Sequence, residues 1–444
     1  MRRLLDEPPL VVPQPAVLAT VRTVRALTKG LTDEELLDHR RRWLRSVVRG
    51  AATAEPYRSR WADGAVAAAL SADTPEKAIA HLPVVPRRDL AAYPVEQRRA
   101  APLPPRTFTL TTSGSTGERL EIEYPPGGSW WLGALVHSRP HERRLRPWTR
   151  WASLGDDERR TVGGILGWLG VLGQCRITPN SEPEVRAAEV ARARPRVVIG
   201  PGKMLVAAGR VLWDTGWRPG TWPRAVYTFA ELLESDTRQT IHALWGCDPI
   251  DHYGATETGS IAAQCRCRDL YHIADESVIV ELLDDRDEPA APPQPGRVTV
   301  TALWNRLMPI VRYRLDDMAV AADRPCACGY RGRALASIDG RAMDWIWDGA
   351  HGRVPPQRFW LSCHLPATWL RAVRRSRVHQ LSDGTVVVEV EASLPADVVE
   401  ELRRSVSAVL SDRVSVQVRC LDRLTVPPGR WRSVFSDVRA RSSS

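Results

Sequence analysis

Apolar residues follow two rhythms along the chain. Between about residues 15 and 70 they recur at three- and four-residue spacing, which predicts a largely helical segment. Within it, Leu31-Thr32-Asp33-Glu34-Glu35-Leu36-Leu37 places a threonine three residues ahead of a glutamate, the capping box of a helix start. The proline-rich 102–105 stretch is a rigid lead-in to a strand over 107–111. From 150 to 260 short apolar runs alternate with helical stretches: a strand over 196–200, a helix over 203–213, a strand over 224–228, a helix over 235–244 and a strand over 249–253. Strand, helix, strand with short links predicts a parallel sheet. Ligands of such sheets sit beyond the carboxyl ends of the strands. Strands over 278–283, 297–303 and 318–322 read as antiparallel, with a loop over 284–295. After Gly340 the pattern changes to a strand over 386–390, a helix over 396–410 and a strand over 414–418, a small α+β unit of roughly 100 residues. The expected fold class is therefore α/β and α+β: a large domain over 1–338 with mixed parallel and antiparallel sheets, then a small α+β domain over 339–444.

The 444 residues suffice for two or three cores, and 43% hydrophobic with 26% charged residues predicts a folded, soluble chain. No apolar run reaches the roughly 18 residues of a membrane span. The start, Met1-Arg2-Arg3-Leu4-Leu5-Asp6-Glu7-Pro8, lacks the apolar stretch of a signal peptide, so a cytoplasmic protein is expected. A net charge of +10 brings nucleic acid to mind, but 52 acids are interspersed among 62 bases and the basic clusters are short (Arg143-Arg144; Arg374-Arg375 with Arg377). A solvated basic surface is the expectation, attraction of anionic substrates such as ATP or CoA the weaker alternative, with no nucleic acid and no membrane as partners. Lysine occurs only at Lys29, Lys77 and Lys203, and 17 Trp stand against 4 Phe, the mark of a GC-rich coding bias.

The densest chemistry lies in Thr111-Thr112-Ser113-Gly114-Ser115-Thr116-Gly117. Glycines let the backbone turn with positive φ and approach a ligand closely. Successive N–H groups then form a concavity for an anion, to which the Ser113, Ser115 and Thr116 hydroxyls add donors. It is not a P-loop, because no Gly-Lys-Ser/Thr follows. Downstream come Phe229-Ala230-Glu231, Tyr253-Gly254-Ala255-Thr256-Glu257, Arg312-Tyr313-Arg314-Leu315-Asp316-Asp317, Asp339-Gly340-Arg341 and Pro427-Pro428-Gly429-Arg430. Two close cysteine pairs, Cys265/Cys267 and Cys326/Cys328, with His272, offer thiolates and an imidazole suited to tetrahedral zinc. Cys175, Cys247, Cys363 and Cys420 are scattered and read as small buried hydrophobes.

This ordered series resembles the adenylate-forming superfamily of acyl-CoA synthetases, luciferases and peptide-synthetase adenylation domains, and within it the phenylacetate-CoA ligase-like branch. The resemblance runs from about residue 40 to 435. Ala54-Glu55-Pro56-Tyr57-Arg58 and His81-Leu82-Pro83-Val84-Val85-Pro86 resemble that branch's entry segments. It implies that Ser113, Gly114, Ser115, Thr116 and Gly117 hold phosphates, that Tyr253 with Gly254 stacks on adenine, that Thr256 contacts a phosphate and that Glu257 binds Mg²⁺. It also implies Glu231 beside the adenine, Asp317 on the ribose, and Arg341 near the ribose at a hinge about which the small domain swings. A structural Zn²⁺ would be held by Cys265, His272, Cys326 and Cys328, with Cys267 able to replace either early ligand. The family's glycine before the glutamate is Ala230 here, and its late catalytic lysine is Arg430, which keeps the charge but not the geometry.

The implied reaction is a carboxylic acid, aryl by resemblance alone, plus MgATP giving acyl-AMP, then transfer to a thiol, CoA first. Three alternatives stay open: an amine or other acceptor, a nucleotide binder that has lost adenylation, and a zinc-stabilised nucleic-acid binder. Homodimers are common among relatives. Trp130 and Trp131 are candidates for either core packing or an aromatic substrate pocket.

Overall fold

The computed structural model describes residues 32–105, 107–112, 120–125, 149–155, 174–175, 177–178, 181–220, 222–265, 267–330, 332–341, 344–348, 352–359, 364–365, 369, 372–373, 375–424 and 434–438. The expected phosphate loop Ser113–Gly117, Trp130, Trp131, Cys363 and Arg430 lie outside these residues.

The capping box opens helix α1 (Asp33–Ala51): the Thr32 hydroxyl accepts the Glu35 amide at 3.2 Å and the Glu35 carboxylate accepts the Thr32 amide at 2.8 Å. Short helices α2 (Tyr57–Arg60), α3 (Asp63–Ser71), α4 (Pro75–Ala80) and α5 (Arg87–Ala91) follow. Their apolar faces form one core with Trp43, Tyr57, Ile79, Leu82, Leu90, Ile122 and Trp304. Between α4 and α5 the two-residue strand β1 (Val85–Pro86) stitches this helical region to the main sheet.

The main sheet has 12 strands among the described residues. Its parallel half is β4 (Trp151–Ser153), β5 (Gln174–Cys175), β6 (Val197–Gly200), β7 (Ala225–Thr228) and β8 (Ile250–Ala255). Helices α6 (Pro183–Ala193), α7 (Gly202–Asp214) and α8 (Ser235–Trp245) pack on it through Val190, Leu205, Leu212, Ile241 and Trp245. At β8 the pairing turns antiparallel and continues through β9 (Gly259–Gln264), β10 (Tyr271–Ile273), β14 (Ala334–Arg341), β13 (Tyr313–Ala321), β12 (Gly296–Ala302) and β11 (Val278–Leu283). A hairpin of β2 (Phe108–Thr111) and β3 (Glu121–Tyr124) carries the glycine loop between its strands. Strand β13 starts at Tyr313, five residues before the expected 318, because Arg314 and Asp317 find side-chain partners that make a polar strand tolerable.

The C-terminal part has its own four-stranded sheet, ordered β19 (Val416–Leu421), β18 (Val386–Glu391), β17 (Ser376–Gln380), β20 (Val434–Ser436), with a separate hairpin of β15 (Ile346–Asp348) and β16 (Gly352–Val354). Helix α9 (Ala396–Ser407) buries Val398, Leu402 and Val406 against Val386, Val388 and Val390, a second core distinct from those of the main sheet. Cys420 is exposed near the end of edge strand β19, against the expectation of burial: it shares the face of Val416 and Val418, but the cover on that face fades from buried Val416 through half-buried Val418 to Cys420.

Two histidines make stability sensitive to acid. His39 and His364 are 7% and 9% exposed. Burial holds both below the ordinary histidine range. His364 donates from Nε2 to the Arg358 carbonyl and accepts the Ser405 hydroxyl at Nδ1, both at 2.7 Å, a pattern of the neutral ring. Folded, the two rings stay neutral; unfolded, they protonate below pH about 6.5. Stability present above that pH is therefore lost as pH falls through it toward the folded values, by up to about 1.4 kcal/mol per unit and group. The melting temperature should drop between pH 7.5 and 5.5, and less steeply in a His39→Gln/His364→Gln chain.

Candidate functional site

The loop between β8 and β9 is built to hold Glu257. Gly254 cannot carry a side chain, since a Cβ there would meet the Gly259 carbonyl at 2.6 Å. The Tyr124 hydroxyl donates to the Thr256 carbonyl, and Trp304 Nε1 donates to the Thr258 carbonyl at 3.0 Å. Those two rings lie 5.2 Å apart, so the loop is gripped from the hairpin and from the strand side. Glu257 is 4% exposed. Its carboxylate accepts from Arg87 at 2.6 Å and from the Tyr313 hydroxyl at 3.0 Å. Arg87 also donates to Thr112, and the Thr112 hydroxyl accepts the Leu120 amide at 2.9 Å while its own amide bonds the Leu120 carbonyl at 2.9 Å. Thr112 and Leu120 thus close the foot of the 113–119 loop, and one guanidinium ties that foot to Glu257. Burial and the Glu257 charge push the Tyr313 hydroxyl well above its ordinary range, so it remains a donor.

A second constellation lies on the same two elements. The Tyr253 hydroxyl donates to Asp317 at 2.8 Å, and Arg341 approaches the other Asp317 oxygen at 3.8 Å. Asp317 and Arg341 are also register partners between β13 and β14. In a flat sheet β8 and β13, with three strands between them, would lie about 19 Å apart. The contacts therefore require the antiparallel half to curl back on itself, which brings Tyr253, Glu257, Tyr313 and Asp317 together. Arg312 and Arg314 do not serve Asp317. Arg312 pairs with Glu281 at 2.9 Å and Arg314 with Asp287. Gly340, at φ +77°, sits where β14 ends, with Leu232 3.3 Å from a Cβ placed there.

Glu231 has a structural engagement of its own: its carboxylate accepts the Lys203 amide at 2.8 Å at the start of α7, while Lys203 Nζ lies at 3.5 Å. Beside it, Ala230 has φ +69°. That backbone is costly for any L-residue with a Cβ, by about 1–2 kcal/mol. Allowing for the greater freedom of glycine in the unfolded chain, Ala230→Gly should stabilise the protein by about 0.5–1 kcal/mol, read from a denaturant melt.

The cysteine cluster forms where the β9–β10 turn meets the β13–β14 connection. Ligand atoms of Cys265, His272, Cys326 and Cys328 all lie within 4.8 Å of one another. Cys265 Sγ is 3.5 Å from Cys326 Sγ, and Cys328 Sγ is 3.6 Å from His272 Nε2. Donors around a tetrahedral zinc at ordinary bond lengths would be about 3.8 Å (S to S) and 3.6 Å (S to N) apart. The donor set and its spacing fit. Gly329, at φ +83°, turns the chain so that its amide bonds the Cys326 carbonyl at 3.0 Å. His272 stacks on Tyr330 with centroids 3.9 Å apart. Exposed Cys267 is not one of the converging four; its amide donates to Cys265 Sγ at 3.3 Å.

Arg87 and Tyr313 escape sequence reasoning. The segment just before Arg87 is noticeable, but the arginine's partner lies 170 residues away. Tyr313 sits inside a motif read for its aspartate.

No family model matches the chain, and no curated protein matches it significantly. Solved structures do. A 2-hydroxyisobutyryl-CoA ligase in the postadenylation state, in complex with R3-HIB-AMP, superposes with a TM-score of 0.72 at 16% identity, over 92% of this chain and 90% of that one. The chain has the fold of the adenylate-forming ligases. The same ligase in the thioesterification state, with 2-HIB-AMP and CoA, gives 0.59 at 18% identity, over 92% and 91% of the two chains. The anthranilate CoA ligase AuaEII with anthranoyl-AMP gives 0.54 at 14% identity, over 72% and 63%. Within this adenylate-forming fold the mixed main sheet and the separate four-stranded sheet both appear, as the sequence pattern leads one to expect. No helix among the described residues is long and apolar enough to cross a membrane.

Proposed function

We propose that the protein activates a carboxylic acid with MgATP and transfers the acyl group to a thiol, with CoA as the acceptor and an aryl acid as the favoured substrate. A carboxylate oxygen attacks the α-phosphorus and pyrophosphate leaves with its electron pair. The thiol sulfur then attacks the acyl carbon, AMP leaves with the electron pair of the acyl–oxygen bond, and the thiol proton passes to solvent. One observation carries this reading. Tyr313 and Asp317 on β13 hold Glu257 and Tyr253 on the β8 segment, at 3.0 and 2.8 Å, beside the foot of a hydroxyl- and glycine-rich loop.

On this reading Ser113, Ser115 and Thr116, with Gly114 and Gly117, cradle the phosphates, and Thr256 adds a contact. Tyr253 packs on adenine with Gly254 and Glu231 nearby. Asp317 accepts the ribose hydroxyls with Arg341 beside it, and ribose binding exchanges the Tyr253 bond for ligand bonds. Glu257 supplies the carboxylate oxygen for magnesium, which when bound neutralises phosphate charge. Arg87 holds that carboxylate in position. Arg430 supplies late positive charge at the α-phosphate. Cys265, His272, Cys326 and Cys328 hold a structural zinc, since four protein ligands leave no open position. The large domain, 1–338, carries the nucleotide site. The small one, 339–444, swings about the Asp339–Arg341 segment, a reading supported by the different fits to one ligase in two states.

The test is pyrophosphate release with MgATP across aryl and alkyl acids, with and without CoA. Acid-dependent release supports adenylation, and thioester formation identifies the acceptor. Arg430 in place of lysine favours one second reading, a nucleotide binder without adenylation, which would bind ATP and release no pyrophosphate with any acid.

A further inference from the structure

The residues flanking the thiol–imidazole cluster do not end there. Cys265 follows Gln264 at the end of β9, and His272 follows Tyr271 on β10. Gln264 and Tyr271 are register partners, so they form the rung of the sheet next to the cluster. Both grip Asp251. The Tyr271 hydroxyl donates to one Asp251 oxygen at 2.9 Å, and the Gln264 side-chain oxygen accepts the Asp251 amide at 3.2 Å. Thr228 donates to the other Asp251 oxygen at 2.7 Å. Arg238 completes the group, donating to the Gln264 side chain at 2.7 Å and to the Pro249 carbonyl at 2.8 Å.

The burial makes this group consequential. Thr228, Asp251 and Gln264 are 1%, 5% and 7% exposed. A buried carboxylate that loses one donor cannot recover it from water, so the arrangement is held as a unit or not at all. Asp251 lies two residues before Tyr253 on β8. Thr228 ends β7, two residues before Ala230 and three before Glu231. The rung therefore fixes, through one carboxylate, the end of β7 and the start of β8, the two strands that lead into the adenine side of the site.

We propose that the Gln264–Tyr271 rung couples tetrahedral metal binding at Cys265, His272, Cys326 and Cys328 to nucleotide binding at Tyr253 and Glu231. The proposal rests on the nucleotide reading of that site. Metal ligation fixes the backbone of residues 265 and 272, hence the rung and the Asp251 bonds. Nucleotide binding selects the same arrangement from the other end. Such coupling is reciprocal: the factor by which metal tightens nucleotide is the factor by which nucleotide tightens metal.

The experiment uses the full chain. Zinc affinity is measured by competition with a chromogenic chelator, with and without saturating AMP, and AMP affinity by calorimetry on the zinc-loaded protein. The expected result is zinc affinity at least threefold higher with AMP, and a ratio near one in Tyr271→Phe, which removes only the hydroxyl. Gln264→Met repeats the test if the first variant misfolds, and the wild-type ratio decides the coupling if both do. AMP that binds without changing zinc affinity, or a full ratio retained in the folded variants, overturns the coupling and leaves the nucleotide reading standing. No binding of AMP or ATP by the loaded protein overturns both, and failure to bind zinc overturns the coupling.

Discussion

Glu257→Gln is expected to lower acid-dependent pyrophosphate release by more than about 100-fold, the scale of removing one charge-stabilising group from an active site, while the chain stays folded. The amide keeps an oxygen where Arg87 and Tyr313 now donate at 2.6 and 3.0 Å, so the loop keeps its grip. What is lost is the negative charge that a hard divalent cation takes as ligand. The variant should bind metal-free ATP about as well as the parent and lose the gain that magnesium brings. Arg87→Met is the complementary case. It leaves Glu257, 4% exposed, without its cation. Breaking a buried pair from one side costs about 3–5 kcal/mol, so this variant should lose stability as well as activity. Full turnover in Glu257→Gln would remove the residue from the chemistry.

Removal of metal should produce a second large loss of stability. Four ligand atoms within 4.8 Å join the β9–β10 turn to the β13–β14 connection. Without a cation, three thiols and an imidazole crowd a site in which Cys265, His272 and Cys326 are buried. Even a modest structural site at 100-fold saturation contributes about 2.7 kcal/mol. Chelation should therefore lower the melting temperature by about 3 °C or more, and added zinc should restore it. Cys326→Ser should melt low from the outset and respond weakly to chelator. Unchanged melting in chelator, with no metal found in the purified protein, would remove the zinc assignment.

Strands β6, β7 and β8 of the parallel half were legible as short runs closed by turn residues, whereas β4 and β5, three and two residues long, were too short to leave a pattern. The expectations at 196–200, 224–228 and 249–253 meet β6, β7 and β8 within two residues at either end. Strand β13 was half hidden, since Arg314 and Asp317 break its apolar pattern and find their partners only in three dimensions. The cysteine cluster could be read because thiol pairs at close spacing have few other uses. Ala230 looked like a departure from a glycine, and its φ of +69° gives the physical reason a glycine suits that position. Glu231 was read for a ligand, and the structure adds its hold on the start of α7. Arg87 was invisible because an ion pair across 170 residues leaves no local trace.

The two-residue strand β1 bears on how far this protein can be taken apart. Val85 and Pro86 pair in parallel with Tyr313 and Arg314, and the next residue is Arg87. The N-terminal helices are thus not a removable leader. A chain begun after residue 90 would discard the cation that neutralises Glu257 together with the brace on β13. A fragment cut there should be insoluble alone and recover its fold only when residues 32–90 are supplied as a second piece. Modularity in this molecule is therefore to be sought near its C-terminal sheet, where a separate core exists, and not at its front.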